Sequence, residues 1–295
     1  MRDDGFTWTH RRGSFDLRAS GLIMGVLNVT PDSFSDGGRY ADAGRAVDRA
    51  LEMVQEGAAV IDVGGESTRP GAVPVAEAEE LRRVVPVIRG IRARSHVVIS
   101  IDTSKAAVAD EALRAGADII NDVTAFRGDA GMSGVALAHG AGAVLMHMRG
   151  VPATMQEQPV YDDVVVDVVN FLRHRMEALL EKGMDHRAIV LDPGVGFGKT
   201  PEHNSLLLAA TGALVQTGRP VLIGVSKKSF LGWLTGSGAD LDARHWPGVG
   251  ITSYCRELGA RIFRVHDPLP HLQALRMTEA ILSAGQPLPE GASHA

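Results

Sequence analysis

The chain has one cysteine, Cys255, in 295 residues. An internal disulfide is therefore excluded, which suits a reducing compartment and leads us to expect a cytoplasmic protein. No apolar run approaches the ~20 residues that cross a bilayer, so no membrane partner is expected. Met1 to Thr9 carries two acidic residues and no apolar stretch, so no signal peptide is expected. Positive charge is not in excess: the net charge of −5 argues against non-specific nucleic-acid binding. An anionic substrate would need its cations gathered locally. Metal-binding patterns are missing as well. There is no HExxH, no CxxC and no His-x-His pair on the first strand candidate, so a protein-held zinc site is not expected.

Glycine, by contrast, is plentiful, and six of the 34 glycines punctuate a repeated pattern. Gly57, Gly116, Gly140, Gly183, Gly218 and Gly259 each follow an amphipathic stretch and precede a short apolar run rich in β-branched residues. Glycine after a helix permits the left-handed conformation that ends it. The runs are short and nearly continuous, as parallel strands buried on both faces require. The intervening stretches have helical period: Ala46, Val47, Ala50, Leu51 and Val54 share one face, as do Val164, Val165, Val168, Phe171 and Leu172, and Leu272, Leu275 and Leu282. With residues 22–30 and 97–103 there are eight strand candidates. Eight alternating units predict a closed (β/α)8 TIM barrel of α/β class. The rival, an open doubly wound sheet, usually begins with a Gly-rich dinucleotide loop that this chain lacks. Residues 6–19 read as a hairpin before a barrel spanning about 22–283, with a frayed tail over 284–295. No linker interrupts it, so one domain is expected.

In such a barrel the reaction site lies at the C-terminal ends of the strands. Those ends carry Asn28; Asp62 with Gly64, Gly65 and Glu66; Asp102; Asn121 and Asp122; His147; Asp192; Ser226, Lys227 and Lys228; and Arg264, His266 and Asp267. Any one of these could be a cap or turn former. A whole rim of them points to a site. Asp102, Asn121 and Asp192 suit the N–H edge of a flat heterocycle. Lys227, Lys228, Arg264 and His266 form a cationic part suited to phosphate oxygens. Asn28 could give a neutral oxygen to Mg²⁺, which often bridges substrate phosphates. Lys199 in GFGKT echoes a phosphate-binding loop without its spacing and reads as part of a loop beside the pocket. His147 reads equally as a satisfied rim residue or a functional one. Met146 and Met148 read as core or pocket lining.

MGVLNVTPDSFSDGGRY, IDVGGESTRPGA, ISIDTSK, INDVTA, LDPGVGFGKTPEHN, GVSKKSFLG and RVHDP occur in this order. Together they strongly resemble the dihydropteroate synthases of folate biosynthesis, over about residues 6 to 283. The resemblance implies a TIM barrel, usually homodimeric. It implies a transferase that joins 6-hydroxymethyl-7,8-dihydropterin diphosphate to 4-aminobenzoate with Mg²⁺ assisting. It assigns Asp102, Asn121, Asp192 and Lys228 to the pterin, with Met146 and Phe197 against it. Asn28, Arg264 and His266 go to the diphosphate, with Asn28 at the metal. Thr68, Arg69 and Pro70 fall on a second mobile loop, and Phe34 and Ser35 on a first. Thr68, Pro70 and Ser229 go to the aminobenzoate. Asp102, Lys228, Phe34, Thr68, Arg69 and Pro70 are the residues expected to serve catalysis. Where the family usually has Ser-Arg-Lys, this chain has Ser226-Lys227-Lys228, which keeps the charge without the planar fork.

The stretch NVTPDSFSDGGRY is too polar for a strand and too rich in Pro and Gly for a helix. A mobile lid that carries Phe34 over bound substrate accounts for that composition. Two other readings share the fold: a pterin-binding methyltransferase, and a non-catalytic pterin-binding paralogue. The STRPG loop and the Arg264–His266 pair favour a diphosphate substrate over methyl transfer.

Overall fold

The computed structural model describes residues 5–30, 39–69, 71–157, 159–236, 238, 240 and 242–284. It opens with a hairpin, β1 (Thr7–His10) and β2 (Gly13–Asp16), paired antiparallel with Trp8 opposite Phe15. The alternating part then runs β3 (Leu22–Asn28), α1 (Arg39–Gln55), β4 (Val60–Gly64), α2 (Glu77–Arg94), β5 (Val98–Asp102), α3 (Ala106–Ala115), β6 (Ile119–Asp122) and α4 (Met132–His139). It continues through β7 (Gly142–Met146), α5 (Val164–Glu181), β8 (Ile189–Asp192), α6 (Pro201–Ala209), α7 (Thr211–Val215), β9 (Leu222–Ile223), α8 (Ser229–Thr235), α9 (His245–Glu257), β10 (Ile262–Val265) and α10 (Pro268–Ala284).

Eight of these strands form one parallel sheet in the order β8-β7-β6-β5-β4-β3-β10-β9. A parallel bridge between Leu191 and Val221 joins its two edges. This is the predicted (β/α)8 barrel. The six helix-ending glycines all have positive φ, from 60° at Gly140 to 122° at Gly116. Strands β4, β5, β6, β7 and β8 are buried at every residue, as their continuous apolar runs predict.

The core has two parts. One lies between the strands and the helices, where Val47, Ala50, Val84, Ile88, Val168 and Leu172 pack against the outward strand residues. The other fills the N-terminal end of the barrel. There Leu22, Val60, Val98, Ile119, Leu222 and Ile262, each the first residue of its strand, close around Trp8. Trp8 is fully buried and its indole N–H donates to the Ala188 carbonyl at 3.2 Å. The hairpin is thus the floor of the barrel.

An ion cluster locks that floor in place. Asp118, just before β6, is fully buried. Its Oδ1 accepts from Arg12 Nε at 2.6 Å, and its Oδ2 accepts from Arg92 Nη2 at 2.8 Å and from the Ile99 amide at 3.0 Å. Residues 284–295 were expected to fray and the stretch 28–40 to carry a lid; Asn28 ends β3 and Arg39 and Tyr40 open α1, while 31–38 and 285–295 lie outside the described residues.

Candidate active site

At the other end of the barrel, alternation along each strand decides which side chains face inward. Asp102 ends β5, Asn121 lies in register beside it on β6, and Asp192 ends β8. Together with Thr68, Met146, Phe197, Lys228 and Arg264 they line one cavity. Residues from seven different strands or strand-end loops therefore converge, which no local stretch of sequence contains.

The cavity disfavours charge. Burial raises Asp102 to about 7, with Arg264 opposing the shift and Asp62, Asp122 and Glu80 adding to it. Burial also raises Asp192, against the hydrogen bond that it accepts from the Gly194 amide at 2.7 Å. Lys228 donates to the Val195 carbonyl at 2.6 Å and stands 4.0 Å from the centroid of the Phe197 ring. Burial lowers its ammonium to about 7. The wall between Asp192 and Lys228 is a glycine loop. Gly194 has φ 67°, and a Cβ there would lie 1.8 Å from the His147 carbonyl oxygen, so only glycine fits.

Beneath that loop lies Lys199, 2% exposed. Its Nζ is within 2.9 Å of His147 Nδ1 and the Gly194 carbonyl and 3.0 Å of the Phe197 carbonyl. It therefore ties the loop to β7 from below and does not reach the inner cavity. His147 is the satisfied partner in this cage; burial, then Lys199, lowers it to about 2.

Arg264 reaches from β10 across β3 to two carboxylates. Its Nε donates to Asp62 Oδ2 at 2.6 Å and its Nη2 to Asp102 Oδ2 at 2.6 Å. Burial works against its charge, but Asp62 and Asp102 outweigh that and hold its pKa above the ordinary value. The cationic part expected from sequence is thus largely neutralised. Lys227, with φ 58°, pairs with Asp267 at 3.0 Å. His266 is corrected from cation to neutral ring: burial, then Arg264 and Lys227, lowers it to about 3. Its Nδ1 lies 3.1 Å from Ser226 Oγ.

Other expected residues stand apart from the inner cavity. Ser229 opens α8 and lines a second, wider opening with Gln156, Gly196 and Trp233. Arg69 is exposed. Phe34, Ser35 and Pro70 lie outside the described residues. Asn28 ends β3 in register with Gly64, and Gly64 pairs with Asp102. Among the described residues its side-chain amide has no partner and no cluster of three acidic, His or Cys side chains could cage a metal. One free amide oxygen beside the cavity fits an Mg²⁺ carried mainly by substrate phosphates and water.

Residues 24–266 match the model of the pterin binding enzyme family. The chain is 44% identical over 262 residues to the dihydropteroate synthase of Escherichia coli K12, covering 89% of this chain and 92% of that one. It belongs to the dihydropteroate synthase family. The Synechocystis dihydropteroate synthase is 42% identical over 269 residues, covering 90% of this chain and 92% of its own. The Yersinia pestis dihydropteroate synthase, solved with a sulfonamide drug, superposes with a TM-score of 0.87 at 42% identity over 94% of this chain and 99% of that one. The Xanthomonas albilineans dihydropteroate synthase, solved with 4-aminobenzoic acid, gives 0.86 at 41% identity over 93% and 96%. The family's barrel and this chain's barrel are the same fold.

Sequence reasoning placed Asp62 on the rim but gave it no role. In the structure it holds both Arg264 and Asn121. The available signal was a carboxylate inside a strand that reads as buried on both faces.

Proposed function

We propose that this chain condenses 6-hydroxymethyl-7,8-dihydropterin diphosphate with 4-aminobenzoate to give 7,8-dihydropteroate and diphosphate. The observation that carries this reading is the convergence of Asp102, Asn121, Asp192 and Lys228 on one cavity, with Arg264 at its edge. The carboxylates and amide match the donors of a pterin edge. Met146 and Phe197 supply apolar contact with its ring, and Phe197 is also the face on which Lys228 rests. Arg264 Nη1, unpaired among the described residues, is the group that would meet the diphosphate. His266, as a neutral donor, and Asn28 complete that side.

The reaction breaks the bond from the exocyclic methylene to the diphosphate oxygen, and the bonding pair leaves with diphosphate. The amine nitrogen then bonds to the methylene and gives up a proton to solvent or to the released diphosphate. The methylene cation is stabilised by the electron-rich ring, and ionised Asp102 stabilises positive charge on the pterin. An arylamine is already a competent nucleophile and needs no strong base. Mg²⁺, held on the protein side by Asn28, would neutralise leaving-group charge when bound. Ser229, Thr68 and Pro70 take the aminobenzoate side, Arg69 serves catalysis beside them, and Phe34 covers it. The protein acts in the cytoplasm, as a homodimer. Trp246, 71% exposed, and Met277, 63% exposed, support the dimer, since they lie on α9 and α10, which run side by side.

Purified protein with the pterin diphosphate, labelled 4-aminobenzoate and Mg²⁺ should form labelled pteroate, and sulfonamides should compete with the aminobenzoate. No product with pterin binding intact would leave a non-catalytic pterin-binding protein instead. A small secondary isotope effect at the methylene with clean inversion would replace the stepwise route by concerted displacement.

A further inference from the structure

We infer that Asp62 is the positioning residue that sets both halves of the proposed site at once, an inference that rests on the function proposed above. Asp62 is fully buried in the middle of β4. One of its oxygens, Oδ2, accepts from two donors: Arg264 Nε at 2.6 Å and Asn121 Nδ2 at 2.9 Å. The first donor belongs to the diphosphate side and the second to the pterin side. They come from opposite directions around the barrel, Arg264 across β3 and Asn121 across β5.

The bond at Nε is the one that fixes the guanidinium plane. A planar fork held at Nε by Asp62 and at Nη2 by Asp102 has one edge left. That edge is Nη1, which has no partner among the described residues, and Arg264 lines the cavity. Held only by Asp102, the guanidinium could rotate about that contact and lose its aim. On the other side, Asn121 spends its amide N–H₂ on Asp62, so its carbonyl oxygen is the atom turned toward a ligand N–H. Asp62 thereby fixes which end of Asn121 reads the pterin.

A role in stability alone would predict a better-satisfied group. Asp62 Oδ1 is buried with no partner, and so is Oγ of Ser100, its register partner on β5. An orphaned buried carboxylate oxygen is costly to folding. A carboxylate kept at that cost, with its one bonded oxygen serving two ligand-facing residues, is placed for function.

The test measures binding of a pterin without diphosphate, and of diphosphate with Mg²⁺, by calorimetry on folded variants. Asp62→Ala should weaken both at least tenfold. Asp62→Asn keeps an oxygen at the same place and should restore both to within about threefold of the parent, which a charge effect would not. In an Arg264→Ala background, Asp62→Ala should cause no further loss of diphosphate binding. Asp62→Ser, too short to reach Nε, replaces the alanine variant if that one does not fold. Unchanged affinities in Asp62→Ala, or losses that add in full to those of Arg264→Ala, would overturn the inference. If the parent protein itself binds neither ligand, the proposed function fails and the inference falls with it.

Discussion

The two ends of the barrel each hold an arginine–carboxylate cluster, and the two are built in opposite ways. At the floor, one carboxylate, Asp118, meets two arginines and a backbone amide, and both of its oxygens are engaged. At the mouth, one arginine, Arg264, meets two carboxylates; Asp62 keeps an orphan oxygen and Arg264 an unpaired Nη1. The floor is a finished set of bonds around a fully buried tryptophan. The mouth is an unfinished set around a cavity. Complete pairing favours the fold alone, while incomplete pairing leaves groups for a ligand to complete.

Substitutions should separate these roles. The largest effect is expected from Asp118→Ala, which removes the buried carboxylate that Arg12 and Arg92 share and should cost about 3 kcal/mol in denaturant unfolding. Its turnover at 25 °C should match the parent, because the cavity is at the other end. Lys228→Ala should do the reverse. It should weaken pterin binding about a hundredfold, roughly 2.7 kcal/mol, read by calorimetry. It should leave the melting temperature unchanged or raised, because it removes an ammonium that burial already opposes. A melting temperature that falls as far as in Asp118→Ala would erase the contrast.

Acid should strike the mouth first. His147 is lowered to about 2 by burial, while the unfolded chain takes up its proton near 6.5. Stability should therefore fall as pH drops below about 6.5, by roughly 2 kcal/mol at pH 5 from this residue. His147→Gln should flatten that slope in thermal melts at pH 5 to 7; an unchanged slope would remove His147 as its cause. Asp102 runs the other way. With its carboxyl raised to about 7 it opposes folding more as pH climbs from 4 to 7, so Asp102→Asn should gain stability at pH 8 and lose activity. The smallest effect belongs to Ser100→Ala. Its hydroxyl is buried and unpartnered, so its loss should change stability by less than about 1 kcal/mol.

Much of this was legible in the sequence because it repeats. Each helix-ending glycine, from Gly57 to Gly259, marked the start of another unit, and counting units gave the barrel. The carboxylates of the mouth were legible because strand ends are local. What was hidden depends on closure. Asp62 and Arg264 are separated by 202 positions and meet only because β10 lies beside β3. His266 and Lys227 looked like free cations because a sequence carries no burial and no neighbours. The hairpin was visible, but Trp8 as the floor was not, since its partners begin six different strands. Lys199 was read as lying beside the pocket, yet its three-sided cage follows from a loop path that the letters GVGFGK do not specify.

The strand β9 is only two residues long, and one bridge from Val221 to Leu191 completes the ring. Parallel pairing elsewhere spans up to five residue pairs. This junction is the seam of the barrel, and it runs directly below Asp192 on one side and the loop to Lys228 on the other. In deuterium exchange, backbone amides along the seam should be the first of the barrel strands to open. A ligand that bridges Asp192 and Lys228 would then act as a clasp across the seam, so that the substrate itself finishes the cylinder that the chain leaves thinnest.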